Sequence, residues 1–126
     1  MDHCEAPANQ HQPCAVEITL NIISGKWKGI ILYRLLNGKK RFNELKRQMP
    51  NVTHRTLTLQ LRELEADGIV KRTVYAEVPP RVEYELTELG MSMTPIIKAI
   101  YDWGVSYRNS QQSQSAAALE ALGGEA

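Results

Sequence analysis

The stretch from Phe42 to Leu64 constrains the fold more than any other part of the chain. Phe42, Leu45 and Met49 repeat at helical spacing, Pro50 and Asn51 break the pattern, and Thr53 stands where a helix N-cap belongs. Leu57, Leu61 and Leu64 then fall on one stripe of a second helix by their i, i+4, i+7 spacing. Only the turn from Met49 to Val52 separates the two helices, so they must cross at close range. The residues after Leu64 narrow the choice further. Asp67 and Gly68 end the second helix, Ile69 to Tyr75 is rich in β-branched residues, and Val82, Tyr84 and Leu86 alternate with a period of two. Pro79 and Pro80 sit in the connection, so the two strands form a hairpin. A helix, a short turn, a helix and a hairpin spell a helix-turn-helix followed by a wing.

Further helices flank this unit. Val16, Ile18, Leu20, Ile22 and Ile23 give a short first helix that is apolar on more than one face and ends at Ser24 and Gly25. Trp27, Ile30, Ile31 and Leu35 form a second, closed by Asn37 and Gly38. Thr87 caps a last segment carrying Leu89, Met93, Ile96, Ile97, Ile100 and Trp103, which Pro95 kinks or restarts. The expected class is α+β, mainly α: a winged helix-turn-helix with extra N- and C-terminal helices for dimerisation. Residues 1–13 read as a flexible arm, residues 14–108 as the folded domain, and residues 109–126 as a low-complexity tail, at best transiently helical. The first and last helices carry more apolar surface than one small winged helix can hide, which predicts a homodimer.

At 126 residues and 43% hydrophobic content, the chain suffices for one domain with one ordinary core. No apolar run reaches the roughly 18 residues of a membrane span, and the first residues lack the pattern of a signal peptide, so no membrane association and a cytoplasmic location are expected. The formal net charge of +1 hides a segregation. Between Lys26 and Arg81 there are 13 Lys and Arg against 5 Asp and Glu, a local net of +8, while the remainder carries 2 against 9, a net of −7. A central basic module of this kind suits a polyanion, here double-stranded DNA.

With Leu57, Leu61 and Leu64 buried, Thr53, His54, Arg55, Thr58 and Arg62 are left to face outward. Arg55 can pair bidentately with guanine, and His54 and Thr58 can hydrogen-bond to base edges or phosphates. Leu59 also falls near the outward face, where it can touch a thymine methyl or pack under the wing. Lys39, Lys40 and Arg41, with Lys46 and Arg47, flank the preceding helix, where backbone contacts fix register without reading sequence. Arg81, directly after the two prolines, either enters a minor groove or meets a phosphate, or pairs within the turn with Glu77 or Glu83. Cys4 and Cys14 are too few for a disulfide framework, so their chemistry is expected to be redox or metal rather than structural. Cys14 follows Pro13 and opens the first helix, where unpaired N–H groups and the helix dipole favour thiolate. It is the redox-sensing candidate, unless it is a small apolar residue packing a dimer seam.

These residues add up to a family resemblance. Cys14 with Val16-Glu17, Gly25-Lys26-Trp27, Arg41-Phe42-Asn43-Glu44-Leu45 and Leu64-Glu65-Ala66-Asp67-Gly68-Ile69-Val70 come in order, followed by Pro79-Pro80-Arg81-Val82-Glu83-Tyr84-Glu85-Leu86-Thr87-Glu88-Leu89-Gly90 and Trp103-Gly104. Over about Cys14 to Gly104 the chain resembles the HxlR-type bacterial winged helix-turn-helix transcription regulators. The resemblance implies a homodimer joined through the first and last helices that represses or activates nearby genes. It also implies that some members sense electrophiles or oxidants through a cysteine at the position of Cys14. The chain departs from the family at Ala15, where proline often follows the cysteine, and at Leu59, where a polar residue is usual.

Other classes fit less well. An enzyme is not expected, because there is no Gly-rich phosphate loop, no His-Glu pair at metal-binding spacing and no nucleophile elbow, and His54 is the only histidine inside the folded unit. No cofactor or metal is called for. A metal-responsive regulator would have to use His3, Cys4, His11 and Cys14, whose spacing matches no common structural zinc pattern. The alternative is a winged-helix regulator with no thiol switch, responsive to a metal or a small molecule, or a protein-interaction module, though a module of that last kind need not retain Arg55, Arg62 and the lysines around the third helix together.

Overall fold

The computed structural model describes residues 12–123. Among them are six helices and three strands in the order α1 (Ala15–Ile22), α2 (Lys28–Leu35), β1 (Lys40–Arg41), α3 (Phe42–Gln48), α4 (His54–Ala66), β2 (Val70–Tyr75), β3 (Arg81–Leu86), α5 (Glu88–Met91) and α6 (Thr94–Gly123). The chain divides into two units, residues 1–93 and 94–126. The metal-ligand candidates His3, Cys4 and His11, and most of the residue 1–13 arm, lie outside the described residues.

Helix α4 has the caps its sequence calls for. The Thr53 hydroxyl accepts from the Thr56 N–H at 3.0 Å, satisfying one of the four donors that a helix start leaves open. At the other end Gly68 takes φ +76°, so that the Gly68 N–H reaches the Glu65 carbonyl and the Ile69 N–H reaches the Leu64 carbonyl, each at 3.0 Å. This paired closure turns the chain straight into the wing. Between the caps Leu57, Leu61 and Leu64 are buried, and they meet Ile31, Leu32 and Leu35 of α2 and Leu45 of α3 in one core. Burying each such side chain contributes about 1.5–3 kcal/mol relative to leaving it exposed. Met49 and Val52 of the turn are buried as well, and the Val52 N–H donates to the Met49 carbonyl at 3.2 Å. The turn is therefore packed into the core by its own ends.

The sheet holds three strands in the order β1-β3-β2, all antiparallel. The sequence predicts only the hairpin. Strand β1 is two basic residues with no alternation of its own, and it exists because Lys40 and Arg41 pair with Tyr84 and Glu83 of β3. Among the described residues one core position is charged: Lys28 is buried, and its ammonium reaches Glu63 of α4 at 3.2 Å. Its apolar stem joins the core while the head reaches an acceptor that is half exposed, which keeps the cost of burial small.

The last segment resolves into two helices. Thr87 caps the four-residue α5 by accepting from the Gly90 N–H at 3.0 Å, and Pro95 restarts the chain as the second residue of α6. Helix α6 runs through the stretch beginning at 109 that the sequence predicts to be at best transiently helical. No proline or glycine interrupts residues 105–122, and Gln and Ala are good helix formers. Ile96, Ile100, Trp103 and Tyr107 on this helix are exposed, and Trp103 and Tyr107 stack with ring centroids 5.2 Å apart. No helix is long and apolar enough to cross a membrane among the described residues.

Thr87 does more than cap. Its N–H donates to the Ile69 carbonyl at 3.0 Å and its hydroxyl donates to the Gly68 carbonyl at 2.6 Å, tying the end of the wing to the end of α4. Gly90 then lies so close to the Ile69 carbonyl that a β-carbon would collide with backbone. Gly90→Ala is expected to cost about 1–3 kcal/mol, the usual cost of overpacking, read as a lower urea midpoint with an unchanged m-value.

Candidate nucleic-acid interface

The helix-turn-helix presents one face to solvent and uses the rest to hold itself together. Opposite the buried leucines, Arg55, Leu59 and Arg62 are all exposed, and their spacing puts them on a single stripe of α4. Neither arginine forms an ion pair among the described residues. Leu59 is 47% exposed, too open to be counted as packed under the wing.

The other α4 candidates have structural work in this fold. Thr53 is committed to the cap, and its hydroxyl also shares a 2.9 Å hydrogen bond with that of Thr56. The His54 ring lies 4.6 Å from that of Phe42, tilted by 51°, which links the first residue of α4 to the first of α3. Thr58 donates to the His54 carbonyl at 2.9 Å, so in this rotamer its hydroxyl has only lone pairs left to offer. Arg55 and Arg62 thus remain as the outward-facing donors of the helix that have no ion pair among the described residues.

The basic residues around β1 and the wing are arranged differently. Glu83, at the centre of the sheet, has a side chain only 12% exposed and is approached by three cations: Lys39 at 3.6 Å, Arg41 at 3.9 Å and Arg81 at 3.5 Å. Arg81 also pairs with Glu77 at 3.2 Å and lies over the Tyr75 ring, 4.1 Å from its centroid. Of the two settings open to Arg81 in the sequence, the turn pairing is the one present, and it engages both acids rather than either. Lys40 on β1, and Lys46 and Arg47 at the end of α3, have no ion pair among the described residues. The sequence offers Glu83 only as an alternative partner for Arg81. Its role as a shared counter-ion depends on β1, which brings Lys39 and Arg41 alongside it.

Cys14 is the N-cap residue of α1, as expected, and makes no side-chain cap hydrogen bond. It differs from expectation in its oxidation state. Cys14 is disulfide-bonded. Cys4 lies outside the described residues.

Comparison with known proteins fits this geometry. The model of the HxlR-like helix-turn-helix matches residues 22–112. Two transcriptional regulators of the HTH type from Bacillus subtilis (strain 168) are similar over most of their length. YdeP is 55% identical over 102 residues, covering 81% of this chain and 80% of its own, and YybR is 58% identical over 100 residues, covering 79% and 80%. A solved structure of the redox regulator HypR in its oxidised form superposes with a TM-score of 0.71 at 60% identity, covering 74% of this chain and 96% of that one. These relatives are regulators and not enzymes, and this chain belongs with them to the HxlR-like helix-turn-helix family of transcriptional regulators.

Proposed function

We propose that the protein is a cytoplasmic homodimer that binds an inverted repeat in double-stranded DNA, with α4 in the major groove, and that its affinity follows the oxidation state of Cys14. The observation that carries the DNA reading is the exposed stripe of Arg55, Leu59 and Arg62 on a helix whose opposite stripe is core. A guanidinium with no ion pair of its own is the donor best suited to guanine O6 and N7. Lys40, Lys46 and Arg47 stand where contacts to the sugar-phosphate backbone would fix register. The pairs that Lys39, Arg41 and Arg81 make with Glu83 are long enough to open toward phosphate, which keeps these three among the contacts proposed for the wing side.

Dimerisation is supported by the exposed apolar residues of α1 (Val16, Ile18, Leu20) and of α6 (Ile96, Ile100, Trp103), which a second copy would cover. Two-fold symmetry then sets half-sites about 34 Å apart, or a small multiple of that. Sedimentation at micromolar concentration is expected to give twice the chain mass. A single-chain mass would exclude the arrangement.

Reading and positioning separate by mutation. On a duplex selected by the wild type from random sequence, Arg55→Ala is expected to cost about 1–3 kcal/mol and to relax preference at one base pair. Lys40→Ala should weaken all duplexes alike and make the salt slope shallower by about 0.9. Arg55→Ala binding with unaltered affinity and preference would mean that α4 is not the reading element.

The redox reading rests on the disulfide at Cys14, on its place at the start of an exposed apolar helix, and on the similarity to a protein named as a redox regulator. Oxidation joins two thiols and passes two electrons and two protons to the oxidant; a thiol reductant reverses it. A change at the start of a dimer-forming helix would alter the spacing of the two copies of α4. In gel-shift titrations, diamide is expected to change the affinity of the pre-reduced wild type and to leave Cys14→Ser unaffected. Equal responses of both proteins would remove Cys14 from the mechanism.

A further inference from the structure

Thr58, Arg62 and Glu65 of α4, Arg72 of β2 and Tyr84 of β3 line a notch of about 200 Å3 in the angle between α4 and the sheet. Arg72 lies directly opposite Tyr84 in the antiparallel register, and opposed residues project from the same face. Tyr84 is buried, so Arg72, itself exposed, is a cation on the α4 side of the sheet, on its edge strand, where it lines the notch with residues of α4. Arg62 approaches from the helix side. Glu65 shares the notch, but no carboxylate comes within 4.0 Å of either guanidinium among the described residues.

The wing side is the opposite case. There three cations share Glu83 and a fourth interaction joins Arg81 to Glu77, so the positive charge has its counter-ions within the chain. In the notch two arginines converge, and neither has an ion-pair partner among the described residues. The cavity has room for a phosphate group and accompanying water, and paired guanidinium forks suit the two unesterified oxygens of a phosphodiester better than any other group in a duplex. Arg62 also belongs to the exposed stripe of α4, so a strand bordering the groove that receives this helix passes the mouth of the notch.

We propose that Arg62 and Arg72 together hold one phosphate of the duplex backbone in this notch, making Arg72 a positioning residue that the wing contributes at its base. The proposal rests on the reading of α4 as the groove-binding helix and adds a contact to it. By gripping one phosphate between helix and strand, the pair would fix how deeply α4 enters the groove while carrying no sequence information.

The test is fluorescence anisotropy of the full chain with a labelled duplex selected by the wild type, over a range of salt concentrations. The variants are Arg62→Gln, Arg72→Gln and the double variant, with Arg72→Lys as the charge-retaining control. The double variant is expected to have a salt slope shallower by about 0.9, the share of one released phosphate. Because the two side chains share one ligand, its loss of affinity should be smaller than the product of the two single losses. Arg72→Gln should keep the base preference and the thermal unfolding midpoint of the wild type, and Arg72→Lys should keep its salt slope. An unchanged slope, fully multiplicative losses or an altered base preference would each overturn the shared phosphate. So would self-association of Arg72→Gln with normal DNA binding, which would make Arg72 a guard of the edge strand. If the wild type selects no duplex at all, the DNA reading itself fails, an outcome distinct from every one of these.

Discussion

The surface formed by α4 and the wing hangs from the junction of Gly68, Ile69, Thr87 and Gly90. Two carbonyls in the link between α4 and β2 accept from one threonine just past the end of β3, and a glycine closes against the same backbone. The junction adds to the packing of Ile69, Val70, Tyr84 and Leu86, which are buried in the same core as the leucines of α4. With it, the angle between α4 and the wing is held by backbone hydrogen bonds as well as by side-chain packing, and such bonds have little freedom to vary. The notch holding Arg62 and Arg72 inherits its width from this angle.

The electrostatics divide along the same line. Toward β1 and the wing tip, positive charge is gathered around Glu83 and Glu77; Arg55 and Arg62 on α4 and Arg72 on β2 have no ion pair among the described residues. The pairs at Lys39 and Arg41 are long and their cations are half-exposed, so they contribute little to stability. Their larger effect is on where the field of the basic segment is strongest, because a cation next to a carboxylate projects far less potential than a lone one. A count of basic residues along the chain cannot see this difference. The β1–β3 pairing creates it.

Most of the architecture was legible because the periodic signals agree with one another. The leucine stripe of α4, its threonine cap and its glycine stop each point to the same boundaries, and the period-two run from Val82 to Leu86 does the same for β3. What escaped was largely tertiary in origin. Strand β1 has no pattern of its own, and the burial of Lys28 goes with Glu63 on a neighbouring helix; the length of α6 is a local matter, helix formers in a stretch whose composition looks like a tail. Within the candidate site, the helical period puts Arg55 and Arg62 outward, and they are exposed. Periodicity could not tell that His54 packs against Phe42 or that Thr58 bonds back to its own helix, since each depends on a rotamer. Arg72 was passed over because a cation in a strand usually reads as a solvated face; it is exposed, and only the register opposite Tyr84 puts it on the side of the sheet that faces α4.

The separation of stripes on α4 has an evolutionary consequence. Leu57, Leu61 and Leu64 carry the packing and Glu63 meets Lys28, whereas Arg55, Leu59 and Arg62 are exposed. Exposed positions of this kind change stability by little when substituted, within about 0.5 kcal/mol. A gene duplicate could therefore exchange the exposed stripe step by step, each intermediate folding as well as its parent. Its descendants would diverge in what they contact on an unaltered scaffold.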